Sequence, residues 1–146
     1  MSLVLCGNLL HSEVLTELPN LRCLSLDNTL GKSRVDLSAL PLHTLYIQKP
    51  GRNVTGFEHI STLQELAIWN YQPRSRDLTE LSRLTSLRRL QLIQPRITTL
   101  DGLGHLHTLE RLEVHYASTL TDVSAIKRCR HPVTAVMEHI PKLADN

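Results

Sequence analysis

This 146-residue sequence holds 8 histidines, 3 cysteines and 14 carboxylate side chains among the types that can do covalent or acid–base chemistry. Ser25, Asp27, Glu113 and His115 could supply a nucleophile, a carboxylate and a base, the parts of an acyl-transfer site if they met. His105 and His107 flank Leu106, and Cys129 stands two positions before His131. Both pairs are of metal-ligating type, yet neither has the further ligands of a zinc site. Gly102 and Gly104 have one residue between them, but no Lys-Ser or Lys-Thr follows to complete a phosphate loop. A different kind of candidate is Trp69, the sole tryptophan, in the stretch LQELAIWNYQP over 63–73, with Tyr71 two places on. Whether any of these groups meet depends on the elements that carry them.

Those elements follow from a period. The pairs Leu24/Leu26, Leu45/Ile47, Leu66/Ile68, Leu90/Leu92 and Leu112/Val114 each place one residue between two apolar ones, the spacing of a short strand with one buried face. Leu3/Leu5 extends the series backward and Val133/Ala135 extends it forward, so first members recur every 21 to 24 residues. Between the pairs the apolar period becomes three, as in Leu78, Leu81, Leu84, Leu87 and Leu90, or in Ile97, Leu100, Leu103, Leu106, Leu109 and Leu112. That spacing suits a 3₁₀ turn or a short helix facing inward. Each unit is one strand and one turn. It cannot bury its apolar side alone, whereas stacked neighbours bury it for one another.

The form L-x-x-L-x-L in LRCLSL, LQELAI, LRRLQL and LERLEV closely resembles the leucine-rich repeat family, and LHTLYI also fits. The short unit with ITTLDGLGHL before its strand is similar to the internalin and phosphatase-regulator type. The resemblance covers nearly the whole chain. It implies an α/β fold: a curved solenoid with a parallel sheet on its concave side and short helical or 3₁₀ turns on its convex side. Residues 1–146 are then a single domain of about six to seven repeats, either complete or part of a longer chain. The corner position that usually carries Asn holds Asn8, Thr29, Pro50, Tyr71, Pro95 and Ala117, so a continuous Asn ladder is absent and the corner backbone needs other partners.

Strand alternation sorts the remaining residues. With Leu66 and Ile68 inward, Glu65, Ala67 and Trp69 face the concave surface. Equivalent positions form columns spaced by about 4.8 Å. One column is Cys23, Thr44, Glu65, Arg89 and Arg111; the next is Val4, Ser25, Tyr46, Ala67, Gln91 and Glu113. Beyond them run Cys6, Asp27, Gln48, Trp69, Ile93 and His115, and then Asn28, Lys49, Asn70, Gln94 and Tyr116. Tyr46, Trp69, Ile93, His115 and Tyr116 therefore share one region, with Ala67 as a hollow among them and Tyr71 at the rim. Exposed aromatics rimmed by charge describe a protein-binding hot spot. Lys49 and Arg111, without an acid neighbour in their columns, are the expected contacts to an acidic partner. Glu65 beside Arg89, and Arg88 beside Glu110, read as cross-strand pairs.

The same geometry separates the catalytic candidates. Ser25 and His115 are four strands apart, about 19 Å, and Asp27 is as remote. Glu113 and His115 lie about 7 Å apart along one strand with nothing nucleophilic between. The expectation is a non-enzyme without cofactor or metal that recognises another protein. Resemblance implies roles such as an adaptor, a substrate-recognition subunit or the sensing end of a signalling protein; a structural, self-assembling domain is the alternative. The first candidate strand starts at Leu3 with no room for a cap. Its open edge is expected to be covered by another chain, by a copy of itself in a homo-oligomer, or by a preceding segment.

Composition narrows the setting. The net charge of +2 argues for neither nucleic acid nor an anionic membrane, and the basic cluster Lys127, Arg128 and Arg130 is not continued along the face. Three cysteines, an odd number, favour free thiols in a reducing compartment, and Cys6 and Cys23 stand too far apart to bridge. No apolar run approaches the ~20 residues of a membrane span, and the first residues lack the basic region of a signal peptide. Cytoplasmic is the expected location.

Overall fold

The computed structural model describes residues 1–5, 15, 17–26, 34–49 and 53–143. Nine strands are present among them: β1 (Ser2–Leu5), β2 (Cys23–Leu26), β3 (Val35–Asp36), β4 (Thr44–Gln48), β5 (Val54–Thr55), β6 (Glu65–Trp69), β7 (Arg89–Ile93), β8 (Arg111–His115) and β9 (Thr134–Glu138). Seven of them form one parallel sheet in the order β1-β2-β4-β6-β7-β8-β9, while β3 and β5 pair separately, also in parallel. The described helical segments are all 3₁₀ turns, at Phe57–His59, Thr79–Leu81, Leu103–His105 and Ser124–Arg128. The fold is thus an α/β arrangement dominated by a parallel sheet.

The strands form where an apolar-x-apolar pair lets one face be buried. Register confirms the pairing: Leu24, Leu45, Leu66, Leu90 and Leu112 are successive partners across β2, β4, β6, β7 and β8. From Leu24 to Val114 all of these inward pairs are at most 2% exposed. Burying each such side chain contributes about 1.5–3 kcal/mol, which is how leucine replaces aromatics as the filling of this core. The forward extension needs correction. The partners of Leu112 and Val114 are Ala135 and Met137, so the equivalent pair lies two residues later than Val133/Ala135, and on this last strand Ala135 is exposed and Met137 half-buried. The segment from Val123 to Ala135 matches its predecessors in length, so the shift lies in the path from His115 to Val123, which is longer than that from Ile93 to Leu100.

Between strands, the three-residue period has a direct backbone cause. The amide of Leu81 donates to the carbonyl of Leu78, Leu84 to Leu81 and Leu87 to Leu84, at 3.0 to 3.2 Å. Leu103, Leu106 and Leu109 repeat the chain from Leu100, each at 3.1 Å. Every bond spans three residues, so the leucines it joins eclipse one another and all point into the core. The segments from Leu78 to Leu90, Leu100 to Leu112 and Val123 to Ala135 have equal lengths, while the paths leaving the strands, from Trp69 to Leu78, Ile93 to Leu100 and His115 to Val123, differ.

Two ladders close the corners in place of asparagine. Immediately after their strands, Lys49, Asn70, Gln94, Tyr116 and His139 all take the left-handed backbone, φ +51° to +61°. The amides of the first four donate to Trp69, Ile93, His115 and Glu138 carbonyls on the adjacent strand at 2.8 to 3.0 Å. On the outer side, Asp36, Asp77 and Asp122 each accept the amide two residues on, from Ser38, Thr79 and Ser124, at 2.8 to 2.9 Å. Thr62, Thr108 and Thr119 donate hydroxyls to Leu42, Leu87 and Ile97 carbonyls at 2.7 to 2.8 Å. Asn8, Thr29 and Pro50 of the expected corner column lie outside the described residues.

The left-handed step also relocates Tyr71, which the sequence places at the rim. The chain reverses at Asn70, and the following residue turns under the sheet: Tyr71 is only 4% exposed, and Pro95, Ala117 and Ile140 are buried at the equivalent positions. Tyr71 is a core residue.

Candidate functional site on the open sheet face

The face of the sheet opposite the core carries the side chains between and after the inward pairs. Tyr46 on β4 is 42% exposed and Trp69 on β6 is 40% exposed; Tyr116, just past β8, reaches 53%. These and Met1 are the large apolar residues that stand open among those described. Tyr46 is the register partner of Ala67, and Trp69 is the partner of Ile93, which in turn pairs with His115. The expected aromatic region therefore exists as adjacent positions on four strands.

Its members are held in place by different means. The Trp69 indole N–H donates to Gln94 Oε1 at 3.1 Å, fixing the ring across a strand boundary. Tyr116 stacks on His139 with ring centroids 4.5 Å apart and planes 4° from parallel. His139 is the unit-to-unit equivalent of Tyr116, an equivalence that strand spacing counted from Val133 places two residues too early. Lys49 is exposed at the end of β4 and Ile93 is half-buried between Trp69 and His115.

Arg111 and His115 are less free than the sequence suggests. Arg111 Nε donates to Glu113 Oε1 at 2.6 Å, and Gln91 Nε2 donates to Glu113 Oε2 at 3.2 Å. His115 Nε2 lies 3.5 Å from Glu113 Oε2, while its Nδ1 lies 3.2 Å from Glu138 Oε2. The expected 7 Å gap between Glu113 and His115 is thus closed, because side chains two apart on a strand share a face and are long enough to lean together. The Arg111 hydrogen bond, aided by His115, holds the Glu113 carboxyl below its ordinary pKa. Arg111 accordingly has an acid partner, on its own strand and not in its column.

Beside this network lies a hollow of about 200 Å³ floored by Ala67 and Gln91 and lined by Tyr46, Glu65, Arg89, Arg111 and Glu113. Burial, followed by the Glu65 charge, raises the Tyr46 phenol. Glu65 and Arg89 are register partners, but no ion pair closes between them. The Arg89 side chain is exposed, with no hydrogen-bond or ion-pair partner among the described residues, while its backbone amide donates to the Gln64 carbonyl at 3.0 Å. By contrast Arg88 and Glu110 do pair, at 2.7 Å, with both side chains more than half exposed.

The candidates for chemistry stay apart or engaged elsewhere. Ser25 is on β2 and His115 on β8, with three strands between them, and Asp27 and Cys6 lie outside the described residues. Cys23 and Cys129 are free thiols, and burial raises the Cys129 thiol. Among the described residues no three His, Cys, Asp or Glu side chains form a metal-holding group. Arg128 of the basic cluster is bound to Asp101 at 2.9 Å. No helix among the described residues is long and apolar enough to cross a membrane.

No family model matches the chain, and no curated protein or solved structure is significantly similar to it.

Proposed function

We propose that the chain is a short-unit leucine-rich-repeat solenoid that binds another protein through the open, concave face of its sheet. The observation that carries this reading is Trp69. The only tryptophan is placed on the open face at 40% exposure and braced by Gln94, beside the exposed Tyr46. Aromatic side chains fixed before contact lose little freedom on binding, the property that makes Trp and Tyr the dominant contributors at protein interfaces. The repeating register, the eclipsed leucines of the turns and the ladders at both corners support the solenoid part of the proposal. The free thiols Cys23 and Cys129 suit a cytoplasmic setting.

On this reading the chain has no catalytic step of its own, and its open face positions a partner. The test uses the full chain as bait in native lysate, compared with a Tyr46→Ala/Trp69→Ala variant that keeps its thermal transition. A protein retained only by the wild type supports the proposal. Equal retention by both removes the site from this face. A solution mass that rises with concentration and ignores the two substitutions points instead to a self-assembling structural domain.

A further inference from the structure

Arg89 and Arg111 are direct register partners on β7 and β8, two positive charges placed side by side about 4.8 Å apart at the backbone. Like charges in that relation destabilise a sheet. Such a pair is normally relieved by acids that close on both members, and here the relief is partial. Arg111 gives its Nε to Glu113, and its terminal nitrogens have no partner among the described residues. The Arg89 guanidinium donates to no group among the described residues, although Glu65 is its register partner on the other side. Both arginines line the Ala67 hollow, whose volume of about 200 Å³ suits one side chain.

From this geometry we infer that the hollow takes a carboxylate side chain of an acidic peptide segment, held between Arg89 and Arg111, with its apolar neighbours on Tyr46 and Trp69. The inference rests on the protein-binding reading above and names the chemistry of the partner. A guanidinium presents a planar fork of donors that matches a carboxylate with two parallel hydrogen bonds. The formal charges lining the hollow cancel, with Glu65 and Glu113 set against Arg89 and Arg111. Selection therefore comes from the forks and not from a broad positive field. It follows that Arg89→Lys, which keeps the charge and loses the fork, does not restore what Arg89→Gln removes. Arg89 is exposed, so neither substitution threatens the fold.

The experiment selects short random peptides displayed on phage against the purified full chain, then measures the affinities of synthetic copies by fluorescence anisotropy. The expected peptides carry Asp or Glu next to an aromatic or aliphatic residue. Replacing that acid by its amide weakens binding to the wild type by ~10-fold or more, and by less than ~2-fold to Arg89→Gln, as a coupled pair requires. Peptides that lack an acid, or an acid whose replacement costs the same on both proteins, overturn the inference. If those peptides still lose affinity on Trp69→Ala, the protein-binding face stands without it. If no peptide is enriched, or if binding ignores both Trp69 and Arg89, the inference and the reading beneath it fall together.

Discussion

The indole N–H of Trp69 donates to the side-chain oxygen of Gln94, 3.1 Å away and one strand further on. The ring is therefore held by a polar contact at its edge while much of its surface stays open. Trp69→Ala should cost no more than ~1–2 kcal/mol of stability, against ~3–5 for a core aromatic, and on the proposed binding function should weaken partner binding by ~2 kcal/mol or more. Gln94→Ala should release the ring. As the only tryptophan, it reports on itself, and its time-resolved fluorescence anisotropy should show faster local motion in that variant while stability changes by ~1 kcal/mol at most. Unchanged local motion would mean that Gln94 does not brace the ring.

Gly102 and Gly104 are two residues apart and should respond in opposite ways. Gly102 has φ +97°, and a Cβ there would lie 2.5 Å from the Thr79 amide nitrogen of the neighbouring unit. Gly102→Ala should destabilise by about 2 kcal/mol or more. Gly104 meets nothing within 4 Å, so Gly104→Ala should be neutral or stabilising by up to ~1 kcal/mol. Urea midpoints of the two variants settle the contrast.

Tyr71 fills the core with a hydroxyl that finds no partner among the described residues. Tyr71→Phe should be neutral or stabilising by ~1 kcal/mol, and Tyr71→Ala should cost ~3–5 kcal/mol. Burial, followed by the nearby carboxylates of Glu80, Glu58 and Asp77, drives the folded-state pKa of this phenol far above its ordinary 10.0. With the folded pKa raised, stability is intact below pH 10 and falls above it, where the unfolded chain ionises first. Denaturation at about pH 8 and about pH 11 should show a shallower alkaline loss for Tyr71→Phe than for the wild type. Tyr46, also shifted upward, accounts for part of what remains.

Glu113 acts at the other end of the scale. Its folded pKa is lowered, chiefly by the Arg111 hydrogen bond, so its contribution is present above the ordinary 4.5 and is lost as pH falls through the folded value. Glu113→Gln should flatten the acid limb of the stability profile. An identical limb in the variant would mean that the Arg111–Glu113 contact is not held in solution.

The strands were legible because leucine spacing states both their position and their buried face: Leu66 and Ile68 needed no other information. The turns were legible too, since a period of three leaves few options. Tyr71 was misplaced because strand alternation was carried past the strand end, where the left-handed step at Asn70 reverses the direction of the next side chain. The last strand slipped because Val133 and Ala135 satisfy the two-residue pattern as well as Ala135 and Met137 do, and only the register decides. At the site, Tyr46, Ala67 and Trp69 follow from alternation. The bond from Arg111 to Glu113 depends on rotamers, which spacing does not encode, and Arg89 passed as paired because Glu65 stood opposite it.

The equal lengths from Leu78 to Leu90, Leu100 to Leu112 and Val123 to Ala135 have a consequence for how such a chain can be edited. One direction of each circuit behaves as a fixed gauge, and the other absorbs slack. Residues spliced in beside Arg74 and Ser75 would lengthen the slack side and leave every strand in frame. A single residue added between Leu84 and Leu87 would break the gauge and turn the inward leucines outward. The exposed step from Arg74 to Ser75, between the buried Pro73 and an Arg76 whose carbonyl accepts the Thr98 amide at 2.8 Å, is thus where a reporter or a foreign loop can be grafted without disturbing the aromatic face.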